Sequence, residues 1–204
     1  GRWALVTNYR EGIPRDSQAP SRGGLVMRAL QDRSPPLGCA ASIAPDGARY
    51  HGYNLLVGDR SAAAYTSNRA SGAISLGAGI HGLSNHLLDT PWPKLVRSKP
   101  RLADALDGPE LDVFAAFALL ADRAIADDAA LPMTGLSRQR ERMLSSAFIV
   151  SPDYGTRCST LFTLSRDGNA TFVERSFDAA GLMTGEVAHT FAVAERAPSL
   201  APAG

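Results

Sequence analysis

Residues 79–95 read Gly-Ile-His-Gly-Leu-Ser-Asn-His-Leu-Leu-Asp-Thr-Pro-Trp-Pro-Lys-Leu. Two His, an Asn, an Asp and a Thr are too many polar groups for an ordinary core strand. An ordinary linker has no use for the Trp. The stretch reads as a short strand over 80–84, then a polar turn. Pro91 and Pro93 restrict the backbone on either side of Trp92, and a helix starts near Lys94. A strand end that spills polar side chains into a turn is a place where a rigid scaffold can present reacting groups.

Upstream, residues 3–7 (Trp-Ala-Leu-Val-Thr) form a strand that runs into the polar cluster Asn8-Tyr9-Arg10. A Gly-, Pro- and Asp-rich loop follows to Pro20. Ser21 is placed to cap a helix reaching about Asp32, and 33–38 reads as a turn. Residues 53–57 and 62–67 read as the strands of a hairpin, and 74–76 as a further short strand. Downstream of Lys94 the helix is expected to break at Pro100, where a second helix can begin. Leu111, Phe114, Phe117, Ala118 and Ala121 recur at helical spacing, predicting an amphipathic helix over 112–125 with both Phe in the core. Strands are expected at 147–150, 159–165, 171–177 and 187–194. Asp167-Gly168 suits a two-residue hairpin turn between the second and third of these. Hairpins, then helices, then hairpins predict an α+β domain of layered antiparallel sheets.

The 204 residues suit one domain with a real core, set at 1–197, and a Pro/Ala-rich disordered tail over 198–204. Apolar content of 45% and charged content of 20% are globular values. The formal charge of +1 gives no reason to expect a nucleic-acid partner. No apolar run is long enough to span a membrane. Lys94 and Lys99 are the only lysines; Arg and Ala abound, as in GC-rich bacterial coding sequence. Cys39 and Cys158 lack metal or redox spacing and read as reduced thiols, which points to a cytoplasmic location.

Three polar clusters stand at strand ends: 7–10, 83–86 and 154–159. Asn amides can stabilise an oxyanion, and Arg can fix a carboxylate or support a thiolate. His51, His81, His86 and His189 show no metal-ligand spacing, so no metal site is expected. Neither a phosphate-binding loop nor a dinucleotide fingerprint is present. Ser84, His86 and Asp89 name a triad on paper, but side chains so close in sequence rarely converge. Arg138, Arg140 and Arg142 read as a helix's solvated face.

The ordered segments at 4–10, 20–23, 53–59, 67–69, 79–85, 87–94 and 154–157 resemble the NRDE family, also called the Transport and Golgi organisation 2 family. That family is similar to N-terminal-nucleophile hydrolases. The resemblance implies an αββα sandwich of stacked antiparallel sheets and cleavage of an amide by a Cys at the chain's start, its own α-amine acting as base. The family's Met-Cys start and Asn-Arg-Asp-Glu motif are missing from this sequence, so an N-terminal segment is expected upstream of Gly1. On this resemblance Asn8, Asn85 and Arg157 are the catalytic candidates. Tyr9, Arg10, His81, His86 and Trp92 are the candidates for substrate binding. Cys158 stands where the family usually has Ser and is not read as catalytic. The chain by itself is expected to be inactive. The family is also linked to haem trafficking and lipid handling, so two alternatives stay open. One is an amide (C–N) hydrolase; the other is a non-catalytic carrier of haem or an acyl-CoA-like lipid, with His51, His81 or His86 as the haem ligand. The expected ligand is a small-molecule amide, a lipid or haem.

Overall fold

A computed structural model describes residues 1–14 and 16–193. The expected tail over 198–204, and the end of the last expected strand at Ala194, lie outside the described residues.

The hairpin reading holds and extends into a four-stranded antiparallel sheet of order β1-β2-β3-β4. Its strands are β1 (Arg2–Asn8), β2 (Tyr53–Asp59), β3 (Ala63–Ser67) and β4 (Ala73–Leu76). Alternation sorts its side chains onto two faces. Ala4, Val6, Tyr53, Leu55 and Val57 face helices α1 (Gly23–Gln31) and α2 (Pro36–Ile43), where Leu25, Ala29, Cys39 and Ile43 complete a dry core. Trp3 and Leu5 take the other face. Opposite Trp3 stands Gly58, and a Cβ there would meet the indole at 2.1 Å, so only glycine admits the ring.

A second antiparallel sheet, order β5-β6-β7, holds β5 (Cys158–Leu164), β6 (Asn169–Phe177) and β7 (Met183–Ala192). Trp3 and Leu5 from the first sheet, and Phe162, Phe172 and Phe191 from the second, line one apolar cleft of about 990 Å³. Among the described residues, β1 and β5 each have a strand neighbour on one side only. Helix α3 (Pro93–Ala105) packs on α4 (Val113–Leu120), which rests on β5. Helix α5 (Arg138–Met143) follows.

Several expectations are corrected. Residues 80–84 are not a strand, because side chains and the loop itself use their backbone groups: Asp89 accepts from the Gly82 N–H, Thr7 donates to the Ser84 carbonyl, and the Asp89 N–H donates to the Gly82 carbonyl. Residues 147–150 likewise form no strand. Val150 makes one isolated bridge to Gly155, and the Ile149 N–H is taken by the Thr156 hydroxyl. Part of the supposed turn over 33–38 opens α2, with Pro36 in its first turn, where a missing N–H costs nothing. Pro100 lies inside α3 rather than breaking it; the carbonyl it cannot serve belongs to Val96, an exposed residue.

Helix α4 is shorter than expected. Asp112 caps it by accepting from the Ala115 N–H, and Phe117 is buried, but Phe114 is 80% exposed. The cap of α1 is Arg22, not Ser21. The β5–β6 turn has three residues between the paired Ser165 and Asn169, with Gly168 at φ 89°, rather than two.

Candidate functional site

Strand β1 ends against the 79–95 loop, and a chain of hydrogen bonds clasps the two. The Thr7 hydroxyl donates to the Ser84 carbonyl (2.9 Å), the Arg10 N–H to the Asn85 carbonyl (2.6 Å), and the Asn85 amide to the Asn8 carbonyl (2.9 Å). Beneath them lies Asn54, fully buried on β2. Its amide donates to Thr7 Oγ1 and to the His86 carbonyl, and its carbonyl accepts from the Tyr65 hydroxyl. A buried amide with every group partnered fixes position instead of costing stability. Asn54 is not among the residues singled out from the sequence. The signal was an Asn within an otherwise apolar strand, Tyr-Asn-Leu-Leu-Val.

Asn8, Tyr9, Arg10 and Asn85 line one cleft of about 460 Å³, together with His51, Arg22 and Tyr154. The Asn8 side chain is exposed there. An Asn amide carries two N–H donors, so Asn85 keeps one beyond its bond to Asn8. Glu11 holds the floor by a forked pair with Arg69 (2.8 and 2.7 Å) and by accepting from the Gly52 N–H. The Arg69 hydrogen bond keeps the Glu11 carboxyl below its usual range, against the opposing effect of burial. Burial, reinforced by Glu11, raises the Tyr9 phenol.

Arg10 turns away from solvent. Its guanidinium pairs with Glu141 at 2.8 Å, donates to the Leu144 carbonyl and lies 4.5 Å from the centre of the Trp92 ring. Burial lowers the Arg10 pKa and Glu141 opposes the shift. Glu141 sits on the helix that sequence reading treated as solvated, yet it is 1% exposed. The His86 ring lies between Tyr9 and Trp92, at 4.8 and 5.8 Å between centroids, with Nδ1 on Thr90 Oγ1. Burial lowers its pKa. Trp92 is buried and is therefore a packing anchor under Arg10 rather than an open wall.

The other candidates lie elsewhere. His81 borders a neighbouring cleft, with Nδ1 on Asp89 and Nε2 on the Gly77 carbonyl. Asp89 thus serves His81, and His86 serves Thr90, so the paper triad with Ser84 does not form. Arg157 is exposed and outside the lining of the Asn8–Asn85 cleft. Both cysteines are free. The exposed Cys158 thiol is raised, by desolvation first and by Glu174 next, which opposes a thiolate there. No cluster of three metal-ligating side chains occurs among the described residues. No helix among them is long and apolar enough to cross a membrane.

Asp89 is the loop's electrostatic knot. It adopts φ 57°, in the left-handed region. Burial pushes its carboxyl up, but Lys99, His81 and the Gly82 N–H outweigh this and hold it down at about 2. A depressed carboxyl contributes stability above its unfolded value of about 3.9 and loses it as pH falls towards 2. His81 is raised, first by its Asp89 hydrogen bond, so its contribution is present below about 6.5 and fades as pH rises through its folded value. The Gly82 amide proton shift should therefore titrate with a midpoint near 2. A midpoint at the ordinary Asp value would contradict this geometry.

The family model for Transport and Golgi organisation 2 matches residues 1–179. The chain belongs to the Transport and Golgi organisation 2 family. It is similar to the Transport and Golgi organization protein 2 homolog of Bos taurus, at 35% identity over 191 residues, covering 86% of this chain and 68% of the relative. The Homo sapiens homolog gives the same identity and coverage, and the Mus musculus homolog is 30% identical over 191 residues. The Transport and Golgi organisation 2 match spans β1, the 79–95 loop and both sheets up to the end of β6, so the whole Asn8–Asn85 clasp lies inside it.

Proposed function

We propose that this chain is the oxyanion-binding scaffold of an amide (C–N) hydrolase whose Cys nucleophile is supplied by sequence upstream of Gly1. The observation that carries the reading is the pairing of Asn8 and Asn85 at one rim of the same cleft, fixed by backbone and buried side-chain bonds. In such a site the Cys sulfur attacks the amide carbonyl, forming a C–S bond. The carbonyl oxygen takes the negative charge, and Asn N–H groups donate to it. The α-amine of the same Cys takes the thiol proton and passes it to the leaving amine. Water then hydrolyses the thioester and releases the carboxylate. Arg157 lies outside the cleft lining, so the reading rests on the two Asn. The sandwich belongs to the same proposal, supported by helices α1 and α2 on the first sheet and by the cleft shared between the sheets. Free cysteines suit a reducing compartment, the basis for a proposed cytoplasmic location.

The test compares this chain with a version extended upstream to a Met-Cys start, on a panel of acyl-amides. Turnover by the extended chain alone, lost when that Cys becomes Ala, is the expected result. Equal turnover by both, abolished by Cys158→Ala, would place the nucleophile on Cys158 instead.

One observation favours a second reading, an apolar-ligand carrier: the apolar cleft between the sheets. None of His51, His81 and His86 lines that cleft, and both ring nitrogens of His81 are engaged. A Soret shift on haem addition, abolished by one His→Ala change, would establish the carrier reading.

A further inference from the structure

Beside the Asn8–Asn85 cleft, and separated from it by Asn85, lies another of about 400 Å³. Leu83, Leu95, Leu102, Leu119 and Leu120 form its walls. Both lysines of the chain border it, and they differ in their partners. Lys99 is held by Asp89 at 2.9 Å. Among the described residues Lys94, in the first turn of α3, donates only to the Ser146 carbonyl, at 3.2 Å. Among the described residues it pairs with no carboxylate, and the charged side chains acting on it are the cations Arg10 and Arg97. A largely desolvated ammonium group beside a leucine-walled cleft, without a counter-ion, favours an incoming anion, because the anion restores the pairing that the fold omits.

We propose that Lys94 anchors the head of a small carboxylate whose apolar body lies along these leucines, in a binding site separate from the Asn8–Asn85 cleft. The volume is in the range of small-molecule sites, and an apolar lining with one or a few polar groups is their usual composition. Burial first, then Arg10 and Arg97, lower the Lys94 pKa to about 8. Anion affinity should therefore weaken above about pH 8, where the amine is neutral. His81, Lys99, Asn85 and Ser84 also line the cleft, and Asp89, which pairs with His81 and Lys99 outside that lining, is already neutralised by these two partners. This inference does not rest on the hydrolase reading.

The probe is 3-phenylpropionate, with 3-phenyl-1-propanol as its uncharged counterpart, measured by ligand-observed NMR. The carboxylate should bind at least tenfold more tightly than the alcohol at pH 7, and Lys94→Met should abolish the preference. Lys94→Arg should retain it. A readout on the unaltered protein guards against misfolded variants. Trinitrobenzenesulfonate should modify Lys94, and 3-phenylpropionate should protect Lys94 but not Lys99, as read by peptide mass spectrometry. Equal affinity for acid and alcohol, or equal protection of both lysines, would overturn the proposal.

Discussion

Replacing Glu141 by alanine should lower the unfolding free energy by about 3–5 kcal/mol, the range for removing one member of a buried ion pair. Glu141 Oε2 accepts from Arg10, and Oε1 accepts from the Thr134 backbone N–H and from the Thr134 hydroxyl. Without the carboxylate, the Arg10 guanidinium, 7% exposed, keeps only the Leu144 carbonyl and the face of Trp92. Arg cannot shed its proton to escape the cost. The loss is large because a charge is stranded, not because the pair is strongly stabilising. Changing both residues to Met should therefore cost less than Glu141→Ala alone. Urea unfolding of the unaltered chain and the two variants decides the matter, and a loss under about 1 kcal/mol for Glu141→Ala would mean that water reaches Arg10.

In the upstream-extended protein, Asn85→Ala should cut kcat by about 10²–10³, the effect of losing one oxyanion donor. KM should change little, because the donor acts on charge that develops only in the transition state. Asn85 also donates to the Asn8 carbonyl, so a structural role must be separated from a catalytic one. Thr7→Val makes the separation: it removes the bond to Ser84 and the one accepted from Asn54 while leaving the Asn8 and Asn85 amides in place. Thr7→Val should weaken the clasp and leave kcat within a few fold. An equal collapse of kcat in both variants would reduce Asn85 to a brace for the loop.

Much of the fold was legible where the side-chain pattern is local. The apolar runs at β1 and β2, the short hairpin spacing between β2 and β3 and the Asp-Gly turn before β6 each specify their element within a few residues. Elements decided by distant partners were not legible. Residues 80–84 have strand-like composition, but Thr7 and Asp89 claim their backbone groups from outside the segment. Phe114 follows helical spacing, yet α4 turns it to solvent and buries Phe117 under Arg175. At the site, Asn8, Tyr9, Arg10 and Asn85 were named from sequence and do share a cleft. Glu141 was read as part of a basic, solvated helix. Its role depends on Arg10, which is 131 residues away in the chain, and no pattern within 138–142 reveals it.

In the proposed hydrolase, Asn8 and Asn85 serve a Cys that attacks from the chain's start. The most direct measurement is intact-protein mass spectrometry of the upstream-extended chain, quenched in acid during turnover of an acyl-amide. The expected result is a mass increase equal to the acyl group, mapped to the first Cys and accumulating as a thioester that hydroxylamine removes. An acyl group on Cys158 or Lys94, or hydrolysis with no covalent adduct and no dependence on the first Cys, would contradict it.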